Sequence, residues 1–220
     1  MHSTPFPLCL LAVLCSLCTW TAAQAPIPVA GQVHAIGDAD APLQLEAFID
    51  FQCPDSKEAW PTMQALMQYY GPARLRFVAT VFPLPYHHNA FFASQGAVVV
   101  TNLTNNAASF WKWADVLFER QNEWGDQPTQ SKTPLQVIAM MSQYAQQCCA
   151  VQASSFVEQM GWVTQQNILA RTAWKYAAAS GIYGTPMFKV NGVLTNAASD
   201  WTFKQWLALL DPLLAPPSSL

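Results

Sequence analysis

The chain has 220 residues, a length that suits one domain or one domain with a sizeable insertion. Charged residues make up 10% of the sequence, against about 25% in an average soluble domain, and hydrophobic residues make up 52%. This composition supports a packed core and excludes a wholly disordered chain. With a formal net charge of −3 and no basic cluster, the sequence lacks the electrostatic footprint of a nucleic-acid-binding protein.

The N-terminal segment has the features of a secretory signal peptide. Its apolar run from Phe6 to Leu17 is too short to cross a hydrocarbon core about 30 Å thick. Thr21 and Ala23 are small residues that precede a candidate cleavage site. We therefore predict a signal peptide over residues 1–23 and a mature protein without membrane contact. That protein would be secreted or held in the lumen of the secretory pathway, or in the periplasm of a bacterium. A short apolar anchor that stays attached is the alternative.

Signal cleavage would change the number of cysteines. Of the six cysteines, only Cys53, Cys148 and Cys149 lie outside the predicted signal peptide. An odd number of cysteines in an oxidising compartment leaves at least one thiol unpaired, or in an intermolecular or transient disulfide.

The first half of the mature chain predicts a strand, a helix and a second strand. Leu43–Phe51 reads as a buried strand, and Pro54 fits the first position of the helix that follows. Pro61 lies inside this helix and is expected to kink it. Gly71 ends the helix, and Leu75–Val81 forms the next strand. This order predicts two parallel strands joined by a crossover helix.

A long, mainly helical stretch follows. Thr133 and Pro134 are a cap and a first-turn proline, and residues 122–130 read as a polar loop. Asn102-Leu103-Thr104 is a candidate N-glycosylation site if the protein is made by a eukaryote. Apolar residues at helical spacing predict further helices over residues 90–102, 108–121, 154–160 and 164–179.

The chain then returns to strand-forming patterns. Met187–Val190 and Val193–Thr195 flank Asn191-Gly192, a pair typical of tight β-hairpins. A last amphipathic helix is predicted over residues 200–210, with Ser199 as its cap.

The order of these elements resembles the thioredoxin fold, and the helical stretch resembles the insertion of its DsbA-like branch. The predicted fold class is therefore α/β, with a thioredoxin-fold N-terminal part over residues 24–85, a helical insertion over 86–165 and a C-terminal part over 166–220. Besides the last helix, the segments that carry the likeness are FIDFQCPDS (48–56), FPLPYHHNA (82–90) and GIYGTPMFKVNG (181–192).

The resemblance implies a thiol site at the start of the first long helix. The N-terminus of a helix favours a thiolate, because unpaired N–H groups and the helix dipole stabilise negative charge there. Cys53 would be the nucleophile, and this role requires that its sulfur be accessible to a substrate. The family implies that the Thr185-Pro186 bond is cis, faces Cys53 and, together with Pro54, binds an extended peptide. Asp50 matches a family position before the cysteine, where it either forms the turn or positions the motif.

This sequence departs from the redox-active pattern of the family at three positions. Ser56 replaces the second cysteine; it either stabilises the Cys53 thiolate by a hydrogen bond or satisfies the first helical turn. Ala47 occupies the position of a family acid, and the neighbouring Glu46 should face the opposite side of the strand. Asp55 should repel a thiolate. A two-cysteine cycle within the motif is excluded, and a one-cysteine cycle is not.

The remaining cysteines and histidines allow several interpretations. Cys148 continues an apolar helical face, so a buried thiol is the default. A vicinal disulfide between Cys148 and Cys149, or a resolving thiol for Cys53, are the alternatives. His87 precedes an Ala-rich helix and is expected to cap that helix or to pack against it; the alternative is a place at the rim of the active groove. No metal site is predicted, because no Cys or acid stands at ligand spacing from His87.

These observations favour a thiol–disulfide oxidoreductase-like protein that uses at most a one-cysteine mechanism through Cys53. Its partners would be protein or peptide thiols and disulfides, with no bound cofactor and with glutathione as a candidate co-substrate. The alternative is a redox-inactive peptide-binding or chaperone-like module that uses the same groove. A kappa-class glutathione transferase is a third candidate, which Cys53 argues against because that class uses a hydroxyl there.

Overall fold

The computed structural model describes residues 34–214. The predicted signal peptide and the end of the chain lie outside the described residues. Within the described part, no helix combines the length and the apolar character needed to span a bilayer.

The centre of the fold is one five-stranded sheet with the strand order β1-β3-β2-β4-β5. β2 and β3 are parallel, as predicted, and the other neighbours pair antiparallel. β1 was not predicted from the sequence. The strands are β1 (His34–Ile36), β2 (Leu43–Ile49), β3 (Leu75–Val81), β4 (Met187–Val190) and β5 (Val193–Leu194).

Helices α2 to α8 separate β3 from β4; α2 to α7 lie in the predicted insertion, and α8 lies almost wholly in the predicted C-terminal part. Within the described residues the helices are α1 (Pro54–Tyr70), α2 (Ala90–Thr104), α3 (Ala108–Glu119), α4 (Gln121–Trp124), α5 (Asp126–Thr129), α6 (Pro134–Cys149), α7 (Ala153–Gln159), α8 (Gln165–Ala179) and α9 (Phe203–Leu210), followed by a 3-10 turn (Asp211–Leu214).

Local signals set the ends of α1. Cys53 is its N-cap residue and Pro54 follows at the first position, where its missing N–H costs no hydrogen bond. The helix continues across Pro61, whose ring is on the exposed side. Gly71 ends it with φ +68°, a left-handed value that favours glycine.

Two other local predictions are confirmed. Thr133 and Gln136 form a reciprocal capping box at the start of α6. Asn191 and Gly192 have φ values of +48° and +83°, as a tight hairpin between β4 and β5 requires.

Two boundaries differ from the sequence predictions. Residues 122–130 are not an open loop but include the short helices α4 and α5. These turns are held by tertiary contacts, since Asn89 donates hydrogen bonds to the Trp124 carbonyl (2.8 Å) and the Thr129 hydroxyl (2.7 Å). Thr202, not Ser199, caps α9, in a capping box with Gln205.

The two faces of the sheet pack against different helices. Leu45 and Ala47 on β2 belong to the main core, together with α1, α9 and much of the insertion. Phe48, on the opposite face, belongs to a smaller cluster that includes Ala177 of α8. The carboxyl ends of β2 and β3 therefore lie between these layers, and the loops that leave them form the candidate site.

Candidate active site

Cys53 lies at the junction of β2 and α1, where three neighbouring groups fix its backbone. Its N–H donates to the Asp50 carbonyl (3.1 Å), and its own carbonyl accepts from the Lys57 N–H (3.2 Å). The carbonyl also accepts from the side-chain amide of Gln121 (3.0 Å), which belongs to the insertion. The thiol is thereby held at the N-terminus of α1, as predicted.

The Thr185-Pro186 loop lies against this thiol. The peptide bond is cis, as the resemblance implied, and it immediately precedes β4. The Cys53 thiol donates a hydrogen bond to the Thr185 carbonyl, with an Sγ–O distance of 3.2 Å. Since β4 pairs with β2, the sheet itself brings the proline loop to the start of α1.

Cys53 is less accessible than the sequence suggested. The residue is 4% exposed, whereas its neighbours Pro54 and Asp55 are exposed. The expectation of an exposed cysteine is therefore wrong for the residue as a whole, and the exposed part of the motif is Pro54 and Asp55.

The Ser56 hydroxyl is engaged by the backbone and not by the thiol. It is 1% exposed, and its hydroxyl oxygen accepts a hydrogen bond from the Asp50 N–H (3.3 Å). Among the described residues no hydrogen bond joins the Ser56 hydroxyl to the Cys53 sulfur. The predicted hydrogen bond to the thiolate is absent, and the structural alternative, in which Ser56 satisfies local backbone, describes this residue.

Asp50 is the centre of the buried polar network beside the thiol. The side chain is fully buried and accepts hydrogen bonds from the Gln52 N–H (2.8 Å) and the Leu84 N–H (2.9 Å). His87 Nδ1 lies 2.7 Å from the same carboxylate, which raises the pKa of His87 above its ordinary value. Asp50 therefore positions the motif and also joins β2 to the loop after β3.

The expected capping role of His87 is wrong. The N-cap residue of α2 is Asn89, without a side-chain cap, and the His87 ring is instead paired with Asp50.

Glu46 lies on the sheet face opposite Ala47, as predicted. Its carboxylate accepts hydrogen bonds from the Thr80 hydroxyl (2.8 Å) and the Tyr176 hydroxyl (3.3 Å). Burial and the nearby carboxylate raise the pKa of Tyr176. Glu46 is thereby bound into the α8 side of the sheet, away from the face that carries Ala47.

The insertion contacts the cysteine loop through amide side chains that sequence reasoning missed. Gln121 donates to the carbonyls of Phe51 (2.9 Å) and Cys53 (3.0 Å). Gln52 donates to the Asp126 carboxylate and accepts from the Asn89 N–H (2.9 Å). Such contacts carry no sequence signal, because a glutamine that binds a distant backbone carbonyl is like any other glutamine.

Cys148 and Cys149 form a vicinal disulfide with each other, and Cys53 is a free thiol. Cys148 and Cys149 are half-buried at the end of α6, where Cys149 Sγ contacts the Ser109 carbonyl (3.6 Å). The structure thus corresponds to the vicinal alternative, and neither sulfur of this pair is bonded to Cys53.

The predicted glycosylation residue lies far along the chain from this site. Asn102 is exposed in the last turn of α2, where its side-chain carbonyl accepts from Gln166 (3.1 Å). Its glycosylation stays a prediction. Among residues 34–214, no group of three or more His, Cys, Asp or Glu residues could hold a metal ion.

A family model described as thioredoxin matches residues 30–212 of this chain. The comparison with curated proteins found no match to this chain.

Solved structures share the fold at low sequence identity. A putative protein-disulfide isomerase from Pseudomonas syringae has a TM-score of 0.69 at 19% identity, over 80% of this chain and 96% of its own. Oxidised BdbD from Bacillus subtilis has a TM-score of 0.65 at 17% identity, over 85% and 95% of the two chains. The thiol-disulfide exchange protein α-DsbA2 from Wolbachia pipientis has a TM-score of 0.61 at 11% identity, over 81% and 86%. The fold is therefore that of the DsbA-like thioredoxin proteins.

Proposed function

Because this chain belongs to the thioredoxin family, we propose that it exchanges thiols and disulfides by a one-cysteine mechanism through Cys53. The observation that carries the proposal is the position of the free Cys53 thiol at the N-terminus of α1, with its sulfur 3.2 Å from the Thr185 carbonyl beside the cis proline. A helix N-terminus stabilises the thiolate that attacks a disulfide.

The exchange has two balanced steps. The Cys53 thiolate attacks one sulfur of a substrate disulfide, so that a mixed disulfide forms and the other substrate sulfur leaves as a thiolate. A second, external thiolate then attacks the mixed disulfide and releases Cys53. Ser56 cannot take this second role, because it has no sulfur, and the vicinal pair is already oxidised.

The proposed substrates are protein or peptide disulfides, with glutathione as co-substrate and no bound cofactor. Thr185 and Pro186 would offer backbone groups to an extended peptide, as in recognition by an added strand, and the exposed ring of Pro54 would contact it. We propose an oxidising compartment outside the cytosol, because the predicted signal peptide over residues 1–23 would direct the chain there.

The burial of Cys53 favours a second candidate function. A cysteine residue that is only 4% exposed offers little surface to a bulky disulfide unless the neighbouring groups move. In a redox-inactive peptide-binding or chaperone-like module, the same proline loop would bind extended peptides and Cys53 would serve packing alone.

Glutathionylation separates the two functions. The mature protein is incubated with oxidised glutathione and its intact mass is measured beside Cys53→Ala and a Cys148→Ala/Cys149→Ala control. The exchange mechanism predicts one glutathionyl adduct on the wild type and on the control variant, and no adduct on Cys53→Ala. Free glutathione should release the adduct. If no adduct forms at Cys53 while Cys53→Ala binds peptides as well as the wild type, the binding module is the correct function.

A further inference from the structure

We propose that a cavity beside α8 is a binding site for small aromatic carboxylates. This cavity, called the α8 cavity below, lies between α8 and the loop that leads from β3 to α2, and has a volume of about 670 Å³. That is within the range of ligand pockets, about 300 to 1,000 Å³.

Four residues with apolar rings line the α8 cavity. Pro83 and Pro85 come from the loop after β3, Phe91 from the first turn of α2, and Trp174 from α8. The Trp174 ring is fixed by stacking on Phe82, with centroids 5.7 Å apart and planes within 9°. An indole ring that is already stacked on a neighbour suits a flat aromatic ligand, because stacking then requires little ordering of that side chain.

Two unpaired cations lie at the rim. Arg171 and Lys175 are one turn apart on α8, both are exposed, and both line the cavity. None of the salt bridges among residues 34–214 includes either of them.

No carboxylate lines the cavity, although the chain has 13 acidic residues against 10 Lys and Arg. The other titratable lining groups, His87 and His88, have carboxylate neighbours outside it, at 2.7 Å and 3.9 Å. The free positive charge therefore comes from Arg171 and Lys175. An anionic group at the end of an aromatic ring is complementary to this arrangement.

This site is separate from the proposed chemistry of Cys53. The two regions share Asp50, whose backbone contacts Cys53 and Ser56 and whose carboxylate binds the cavity residues Leu84 and His87. Cys53 itself does not line the cavity. Ligand binding in the α8 cavity is thus expected to be the same in a Cys53→Ala protein, whether or not the thiol is active.

The test compares a charged and an uncharged ligand of the same shape by isothermal titration calorimetry. The probes are 2-naphthoate and 2-naphthamide, and the variants are Arg171→Gln/Lys175→Gln and Trp174→Ala. We expect the charge variant to weaken 2-naphthoate binding by about tenfold or more and to leave 2-naphthamide binding within about twofold. Trp174→Ala should weaken both ligands. Lys112→Gln, at an exposed lysine of α3 outside the cavity, is the matched control and should change neither.

Three outcomes would overturn the proposal. The first is that the wild type binds 2-naphthoate no better than 2-naphthamide, since the rim cations then have no part in recognition. The second is equal 2-naphthoate affinity in the wild type and the charge variant. The third is no binding of 2-naphthoate at millimolar concentration. Because Arg171 and Lys175 are exposed and unpaired, their replacement should leave the fold intact, and a thermal unfolding curve of each variant checks this.

Discussion

Replacing Asp50 with alanine should destabilise the protein far more than any exposed acid of the same motif. The carboxylate is fully buried and accepts two hydrogen bonds from backbone N–H groups, those of Gln52 and Leu84, in addition to the contact with His87. Both N–H groups belong to buried residues, so the variant leaves two donors without an acceptor.

Each buried donor left unpaired costs about 1–3 kcal/mol, whereas the half-buried His87 can turn to water at a smaller cost. We therefore expect Asp50→Ala to lower the free energy of unfolding by about 4 kcal/mol, in the range seen when one partner of a buried pair is removed. The free energy of unfolding of Asp50→Asn should lie between those of the wild type and Asp50→Ala, because the amide oxygen replaces one acceptor while the NH₂ group faces a donor.

Urea unfolding followed by tryptophan fluorescence measures these differences. The matched control is Asp55→Ala, an exposed acid in the first turn of α1, which should cost no more than about 1 kcal/mol. The reasoning is refuted if Asp50→Ala lies within about 1 kcal/mol of this control. A second readout is the imidazole titration of His87 by NMR. Its raised pKa should return towards about 6.5 in Asp50→Ala, since the hydrogen bond to Asp50 is the main cause of the shift.

Two further predictions concern stability away from the thiol. Desolvation of the half-buried His34, whose ring stacks on Phe110, lowers its pKa to about 4. As the pH falls, His34 therefore binds a proton in the unfolded state before it does so in the folded state. The free energy of unfolding should fall by up to about 3 kcal/mol between about pH 6.5 and about pH 4. Urea titrations at a series of pH values measure this fall, and His34→Phe should remove it. Thr202→Ala should cost about 1 kcal/mol by loss of the α9 capping box, whereas Ser199→Ala should be nearly neutral because Ser199 makes only an exposed hydrogen bond to Glu58.

The fold could be predicted from the sequence because its signals are local. The apolar run of β2, the proline at the start of α1 and the Asn191-Gly192 turn each indicate their own structure within a few residues. The missed strand β1 has three residues and exists through pairing with β3, from Ile36 opposite Phe77. The start of α9 differs from the predicted one because Ser199 and Thr202 are both good cap residues, and only the Gln205 side chain distinguishes them.

The site could be predicted only as far as the motif itself extends. Cys53 and the cis proline loop come together because β4 pairs with β2, which the order of elements already implied. The burial of Cys53 was not predictable, since its thiol contacts the Thr185 carbonyl, which lies 132 residues further along the chain. The contacts of Gln121 and the cationic rim of the α8 cavity are likewise products of packing between segments that share no sequence pattern.

Ser56 shows why the missing second cysteine changes more than the redox cycle. Its hydroxyl accepts a hydrogen bond from the buried Asp50 N–H, and a thiol is a weak acceptor. Ser56→Cys supplies the missing second cysteine and should create dithiol activity in an insulin-reduction assay. Because it also replaces a good acceptor by a weak one, it should lower the free energy of unfolding by about 1 kcal/mol. Ser56→Ala is the matched control, because it removes the same acceptor without adding a sulfur; it should lose as much stability and gain no activity. A stable Ser56→Cys protein without insulin reduction would contradict the view that the remaining groups of the site can still perform disulfide exchange.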